Sequence, residues 1–158
     1  MQVSERHYTT PLQDTTLRAA IITALFNEEI TLALEAGAKD ALQKQGVAAG
    51  NITALRVPGA WELAYAANRL FRENRADAVI ACGCVIRGET GHYDIVANES
   101  AAGLTRVSLD HGRPVMNAVL TVENLGQARA RSVADHTNKG AEAARSLIEL
   151  MNAFTKGP

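Results

Sequence analysis

The densest chemistry in the chain lies in six consecutive residues, Arg87-Gly88-Glu89-Thr90-Gly91-His92. They follow the apolar run AVIACGCVI (78–86) and precede a segment of helical period. A glycine-bearing turn between a strand and a helix exposes backbone N–H groups that nothing else satisfies. The helix dipole adds partial positive charge at the same place, which suits a phosphate or another anion. Gly88 and Gly91 would let a ligand approach the backbone, and Thr90 adds a hydroxyl donor. His92 falls in the first helical turn, where an imidazole beside an anion is a candidate proton carrier. An ordinary capped loop with a surface histidine has the same local pattern.

Three further places carry candidates. Phe26, followed by Asn27 and Glu28, ends an apolar run; it either stacks on a flat heterocycle or caps the core. In VPGAWEL (57–63), Glu62 complements the dipole of the helix it opens, or accepts hydrogen bonds from a polyol, with the N–H groups of 60–62 facing the same ligand. Arg131 is either a solvated helix residue or a grip for phosphate. Lys139 and Glu142 form a surface ion pair of little value, or complete an acid–base network. The two cysteines, Cys82 and Cys84, point to one face of a strand, where an adjacent disulfide would be strained and too few other ligands are near for a metal. They read as small apolar residues of a reducing compartment.

The elements that must position these residues follow from patterning. At 158 residues, 47% hydrophobic and 21% charged, the chain is one globular domain with a real core. Its net charge of −1 argues against a nucleic-acid surface. No apolar run approaches a membrane span, and the polar start MQVSERHYTTPLQD lacks the apolar centre of a signal peptide. The default is a cytoplasmic protein. Residues 1–15 read as an extended arm that frays or lies on a neighbour, and 16–158 as the single folded domain.

Strands are expected at 17–26, 51–57, 77–86 and 113–122, and helices at 28–46, 60–74, 92–112, 124–136 and 140–154. The helix at 60–74 should turn Trp61, Ala64, Leu70 and Phe71 inward. Continuously apolar strands alternating with helices indicate parallel pairing with both faces covered. The expected fold is a flavodoxin-like, three-layer α/β/α sandwich with about four parallel strands. In such sheets ligands bind beyond the C-terminal ends of the strands, and the candidate residues fall there.

Taken in order, FN (26–27), VPGAWEL (57–63), VIRGETGHYDIVANES (85–100), VLTVEN (119–124) and NKG with EAA (138–144) resemble the lumazine synthase family over roughly residues 16 to 153. The resemblance implies condensation of 5-amino-6-(D-ribitylamino)uracil with 3,4-dihydroxy-2-butanone 4-phosphate to 6,7-dimethyl-8-ribityllumazine, with release of phosphate and water and no cofactor or metal. It implies that Phe26 stacks on the pyrimidine and that Ala60, Trp61 and Glu62 hold the ribityl chain. Cys84, Val85 and Ile86 would present backbone groups to the pyrimidine edge, and Glu89 and Thr90 would serve the phosphate loop. His92 would move protons. Arg131 would bind phosphate from the adjacent subunit, Asn117 would reach the heterocycle across that interface, and Lys139 and Glu142 would support the site.

The resemblance also implies a homo-oligomer with sites between subunits: a pentamer as minimum unit, with decamer and 60-subunit shell left open. Three departures stand out. Leu25 replaces a common Arg, Asn117 a common aromatic, and Asp135 a common Lys. Two rival readings are a paralogue that binds lumazine or riboflavin without turnover, and a flavodoxin-type electron carrier. The presence of Thr90, His92 and Arg131 favours the enzyme over the first. The acidic, glycine-free Phe26-Asn27-Glu28-Glu29 argues against the second, which needs a phosphate loop after the first strand.

Overall fold

A computed structural model describes residues 10–155. The apolar runs form four parallel strands, β1 (Ala19–Ala24), β2 (Ile52–Val57), β3 (Ala78–Ile86) and β4 (Val115–Val122), in the order β2-β1-β3-β4. Five helices connect and follow them: α1 (Glu28–Lys44), α2 (Leu63–Arg72), α3 (His92–His111), α4 (Leu125–Ala130) and α5 (Lys139–Phe154). Helices cover both faces of the sheet, giving the expected flavodoxin-like three-layer sandwich.

The central strands explain their own composition. Alternate residues of β1 and β3 feed two cores, because successive side chains point to opposite faces. Ile21, Ile80 and Cys82 pack with Ile30, Leu34, Leu147 and Ile148 from α1 and α5. Ile22, Val79 and Ala81 pack with Leu63, Leu70, Phe71 and Leu104 from α2 and α3. Each fully buried Ile or Leu stabilises by about 1.5–3 kcal/mol over its exposed state. The outer strand β2 departs from expectation: Thr53 to Arg56 are exposed, so its two faces are not both covered.

Helix ends are set locally. Gly46 (φ 105°) takes the left-handed position after α1, with its N–H on Gln43 O and that of Val47 on Leu42 O. Asn74 (φ 52°) does the same after α2. Two expected helices are shorter than their patterns. The helix expected at 124–136 stops at Ala130, because side chains beyond it compete for backbone partners. Ser132 Oγ donates to Ala128 O, and Asp135 Oδ1 accepts the N–H and hydroxyl of Thr137. The helix expected at 60–74 opens with a 3-10 turn, Ala60–Glu62, before α2 begins. That tighter turn takes Trp61 out of phase with the buried face of α2 and leaves it 56% exposed, not inward as expected.

The arm expected over 1–15 falls largely on residues 1–9, outside the described residues, as do 156–158 at the far end of the expected domain. Where the chain is described, Leu12 is buried and its N–H donates to Gln45 O at the end of α1. Asn152 of α5 brackets the same stretch, accepting from Gln13 N and donating to Pro11 O.

Candidate active site

The strand order reverses between β1 and β3: the chain moves from β1 outward to β2, then returns to β3 on the other side of β1. Beyond the C-terminal ends of two such strands a crevice opens that helices cannot fill. Asn27 stands at this point. It adopts the left-handed conformation (φ 62°, ψ 47°), which Asn tolerates better than most residues. Its carbonyl accepts from the N–H groups of Ile30 and Thr31, starting α1, and its side-chain Nδ2 donates to Cys84 O at 2.9 Å. One residue thus ties the end of β1 to the end of β3.

The turn at Asn27 leaves Phe26 outside the core, 70% exposed, so the core-capping reading fails. Phe26 is nonetheless held. Its N–H donates to Pro58 O at 2.9 Å, and its ring lies over Gly59. A Cβ on Gly59 would stand 2.5 Å from Phe26 Cδ2 and 3.0 Å from Cε2. The backbone of Gly59 (φ −152°) is open to any residue, so the glycine is there for the ring. Gly59 N donates to Glu62 Oε2 at 2.9 Å. That bond fixes one carboxylate oxygen at the start of the 3-10 turn and leaves the other without a hydrogen bond among the described residues. Ala60 is buried beneath, and Trp61 is exposed beside it.

At the third strand end, Val85 and Ile86 are half-buried, and the exposed loop to α3 carries Glu89 and Thr90. The N–H of His92 donates to Thr90 Oγ1 at 3.3 Å, leaving the hydroxyl proton free for an acceptor. Gly88 and Gly91 are not in left-handed conformations, and a Cβ on either meets nothing within 4 Å. The folded chain itself does not require glycine there, so the bare backbone is available to something outside it. The loop is pinned by Arg87. Its Nε donates to both carboxylate oxygens of Glu123 (2.9 and 3.1 Å), its Nη2 reaches Asp94 at 3.5 Å, and its guanidinium lies 4.2 Å from the Tyr93 ring centroid. The hydrogen bond to Glu123 is the largest of the effects that raise the Arg87 pKa above its ordinary value.

The sequence-predicted residues therefore divide. Phe26, Ala60, Trp61, Glu62, Cys84, Val85, Ile86, Glu89, Thr90 and His92 all lie on one edge of the sheet, at strand ends or just beyond. Asn117 does not: it sits low on β4, in register with Ala81, and its Oδ1 accepts from Val119 N. It lines an open hollow of about 250 Å³ between α3 and β4. Arg131 caps the end of α4, with Nη1 donating to Gln127 O at 3.0 Å. Lys139 opens α5, its Nζ 2.8 Å from Glu142 Oε2. No hydrogen bond of these three, among the described residues, reaches the strand-end group. Sequence reasoning gave no separate role to Asn27, Gly59, Arg87, Glu123 or Asn138. Each sits inside a motif, but its job is a contact with a residue distant in sequence.

Both cysteines are buried free thiols. Desolvation pushes the Cys84 thiol up to about 11, and raises that of Cys82 further, so neither is a ready nucleophile. Among the described residues no group of three or more His, Cys, Asp or Glu is placed to hold a metal ion, and no helix is long and apolar enough to cross a membrane.

Comparison with known proteins bears on this arrangement directly. The profile of the 6,7-dimethyl-8-ribityllumazine synthase family matches residues 16–155. A 6,7-dimethyl-8-ribityllumazine synthase of Xanthomonas euvesicatoria pv. vesicatoria is 47% identical over 146 residues, covering 92% of this chain and 95% of that protein. The protein of the same name from Stenotrophomonas maltophilia is 46% identical over 141 residues (89% and 91%). That of Paracidovorax citrulli is 51% identical over 136 residues, 86% of each chain. With its sheet order, its strand-end cluster and these matches, the chain belongs to the 6,7-dimethyl-8-ribityllumazine synthase family.

Proposed function

We propose that the strand-end cleft is where this chain carries out its family's reaction, the penultimate step of riboflavin biosynthesis. The primary amine of 5-amino-6-(D-ribitylamino)uracil attacks the ketone of 3,4-dihydroxy-2-butanone 4-phosphate, and the carbinolamine loses water to give an imine. Elimination then breaks the C–O bond to phosphate. That elimination takes a proton from the hydroxyl-bearing carbon and leaves an enol, which tautomerises to a new ketone. The ribityl-bearing nitrogen attacks this ketone, and loss of a second water closes the ring. The observation that carries this reading is the conjunction of three seats on one sheet edge: an exposed aromatic ring over Gly59, a half-anchored carboxylate at Glu62, and an open glycine loop at a helix N-terminus.

Phe26 stacks on the pyrimidine, and the free oxygen of Glu62 accepts from ribityl hydroxyls beside Ala60 and Trp61. Backbone groups of Cys84, Val85 and Ile86 edge the pyrimidine. Glu89, Thr90 and the start of α3 receive the phosphate, and His92 shuttles protons between the reacting nitrogen and oxygen atoms. The two substrates can react once aligned, so orientation supplies much of the acceleration. Proton transfer by His92 adds on the order of 10²-fold.

Arg131 and Asn117 complete the site from the adjacent subunit, with Lys139 and Glu142 as supporting polar groups. What supports this is that, among the described residues, none of Arg131, Asn117 and Lys139 hydrogen-bonds to the strand-end group within one chain, while Ile95 and Leu109 of α3 leave large apolar side chains exposed. We take a pentamer as the minimum assembly and the cytoplasm as its location. The test is lumazine formation followed by absorbance in single turnover. His92→Ala is expected to keep measurable activity, and Arg131→Ala to raise chiefly the KM for the phosphate substrate. A folded His92→Ala with no activity, or an unchanged phosphate KM in Arg131→Ala, overturns these roles.

A further inference from the structure

The segment that presents Arg131 has no helix of its own beyond Ala130; its support comes from a buried amide. Asn138 is 1% exposed and uses its whole side chain. Its Nδ2 donates to Ser132 O at 3.1 Å and to Ala33 O of α1 at 3.2 Å, and its Oδ1 accepts from Ala141 N at 3.0 Å, capping α5. The next N–H, that of Lys139, donates to Arg131 O at 2.9 Å. Two successive carbonyls, Arg131 and Ser132, are thus tied to two successive residues, Asn138 and Lys139. The tie is anchored to α1, because Asn138 also holds Ala33. Gly37 of α1 makes room for the amide: a Cβ there would overlap Asn138 Oδ1.

A buried side chain with three satisfied bonds fixes backbone position far better than an exposed ion pair does. What it fixes here is the start of the guanidinium's own stem. With its backbone tied and Nη1 on Gln127 O, the remaining donors of the Arg131 fork point from a set position. A planar fork grips phosphate only when its position is right.

We propose that Asn138 is a positioning residue for the phosphate-binding arginine: it acts through Arg131, and Gly37 is its required partner. The proposal rests on the reading of Arg131 as the phosphate grip. It makes a sharp distinction from a purely structural role. A purely structural residue would lower stability and touch all kinetic constants alike, whereas Asn138 should act on one substrate only.

The experiment measures KM for each substrate, and competitive inhibition by inorganic phosphate, at a temperature where circular dichroism shows every variant folded. Asn138→Ser keeps a capping oxygen for α5 while withdrawing the two donors. Gly37→Ala leaves Asn138 in place but displaces its amide. Both are expected to raise KM for 3,4-dihydroxy-2-butanone 4-phosphate and weaken phosphate inhibition roughly tenfold, the size of one lost charge-assisted hydrogen bond. KM for the pyrimidine should be unchanged. Gly37→Ala is diagnostic in sign, since Ala in a helix interior otherwise stabilises.

In the Arg131→Ala background neither change should add anything, the signature of action through one residue. Additive effects, or equal effects on both substrates, overturn the proposal, as does an unchanged phosphate KM in both variants while Arg131→Ala raises it. If Arg131→Ala itself leaves phosphate binding intact, the reading of Arg131 has failed and the proposal falls with it. Asn138→Ala serves as a third variant, and if it does not fold, Asn138→Ser and Gly37→Ala decide.

Discussion

Replacing Gly59 with Ala separates the making of the site from the making of the fold. The new Cβ would stand 2.5 Å from Phe26 Cδ2, where ordinary contact begins near 3.4 Å, so the ring must retreat by roughly 1 Å. It can do so freely, because it is mostly exposed and leaves no core behind. The backbone at φ −152° accepts Ala without strain. Folding should therefore lose nothing, and the shorter list of unfolded conformations should add about 0.4–1 kcal/mol of stability. Binding is different. Base–aromatic stacking is worth about 1–3 kcal/mol, and a displaced ring forfeits much of it. KM for 5-amino-6-(D-ribitylamino)uracil is expected to rise about tenfold, with KM for the phosphate substrate nearly unchanged.

The assay is steady-state lumazine formation with each substrate varied in turn, beside calorimetric melting of the same samples. Phe26→Ala and the double variant complete the cycle, and Gly59→Ala should add little once the ring is gone. Wild-type pyrimidine affinity in Gly59→Ala would refute the reasoning, since the ring's seat would then be irrelevant to binding. A large fall in melting temperature would refute it from the other side, by showing Gly59 to be needed for folding.

Two further outcomes follow from the packing and the charges. Gly140→Ala would drive a Cβ into the carbonyl oxygen of Leu34 and push α5 off α1; we expect a loss of about 2–3 kcal/mol, read as a melting point lower by roughly 5–10 °C, and an unchanged melting point would show that the helices yield without cost. The Arg18 guanidinium, chiefly through its hydrogen bond, holds the Asp77 carboxyl below its ordinary 3.8. A depressed carboxyl stabilises above its unfolded pKa, and that contribution disappears as pH falls through the folded one. The difference in urea stability between wild type and Asp77→Asn, about 1 kcal/mol or less for so exposed a pair, should shrink as pH drops below 3.8. A difference independent of pH would contradict it.

The sequence alone determined the sandwich. Apolar runs at 17–26 and 78–86, alternating with helical periods, can be buried only as parallel strands covered on both faces, and the glycine-bearing Arg87–His92 turn marks the end of the second of these runs. Once the strands were parallel, the site had to lie at their C-terminal edge, so Phe26, Glu62, Thr90 and His92 could be named from local pattern and family likeness together. Local pattern could not tell where a helix loses its backbone partners to side chains. That is why the periodicity after β4 predicts a helix to 136, although Ser132 and Asp135 end it, and why it predicts Trp61 on the inner face, although the 3-10 turn closed by Glu62 turns it out. Nor could it give the contacts between residues far apart in sequence: Asn27 on Cys84, the Phe26 ring over Gly59, Arg87 on Glu123, Asn138 on Ala33. Periodicity registers which face a residue shares with its neighbours three or four positions away. A hydrogen bond across 57 or 105 residues exists only after the strands have chosen their order, and that order is a property of the whole sheet.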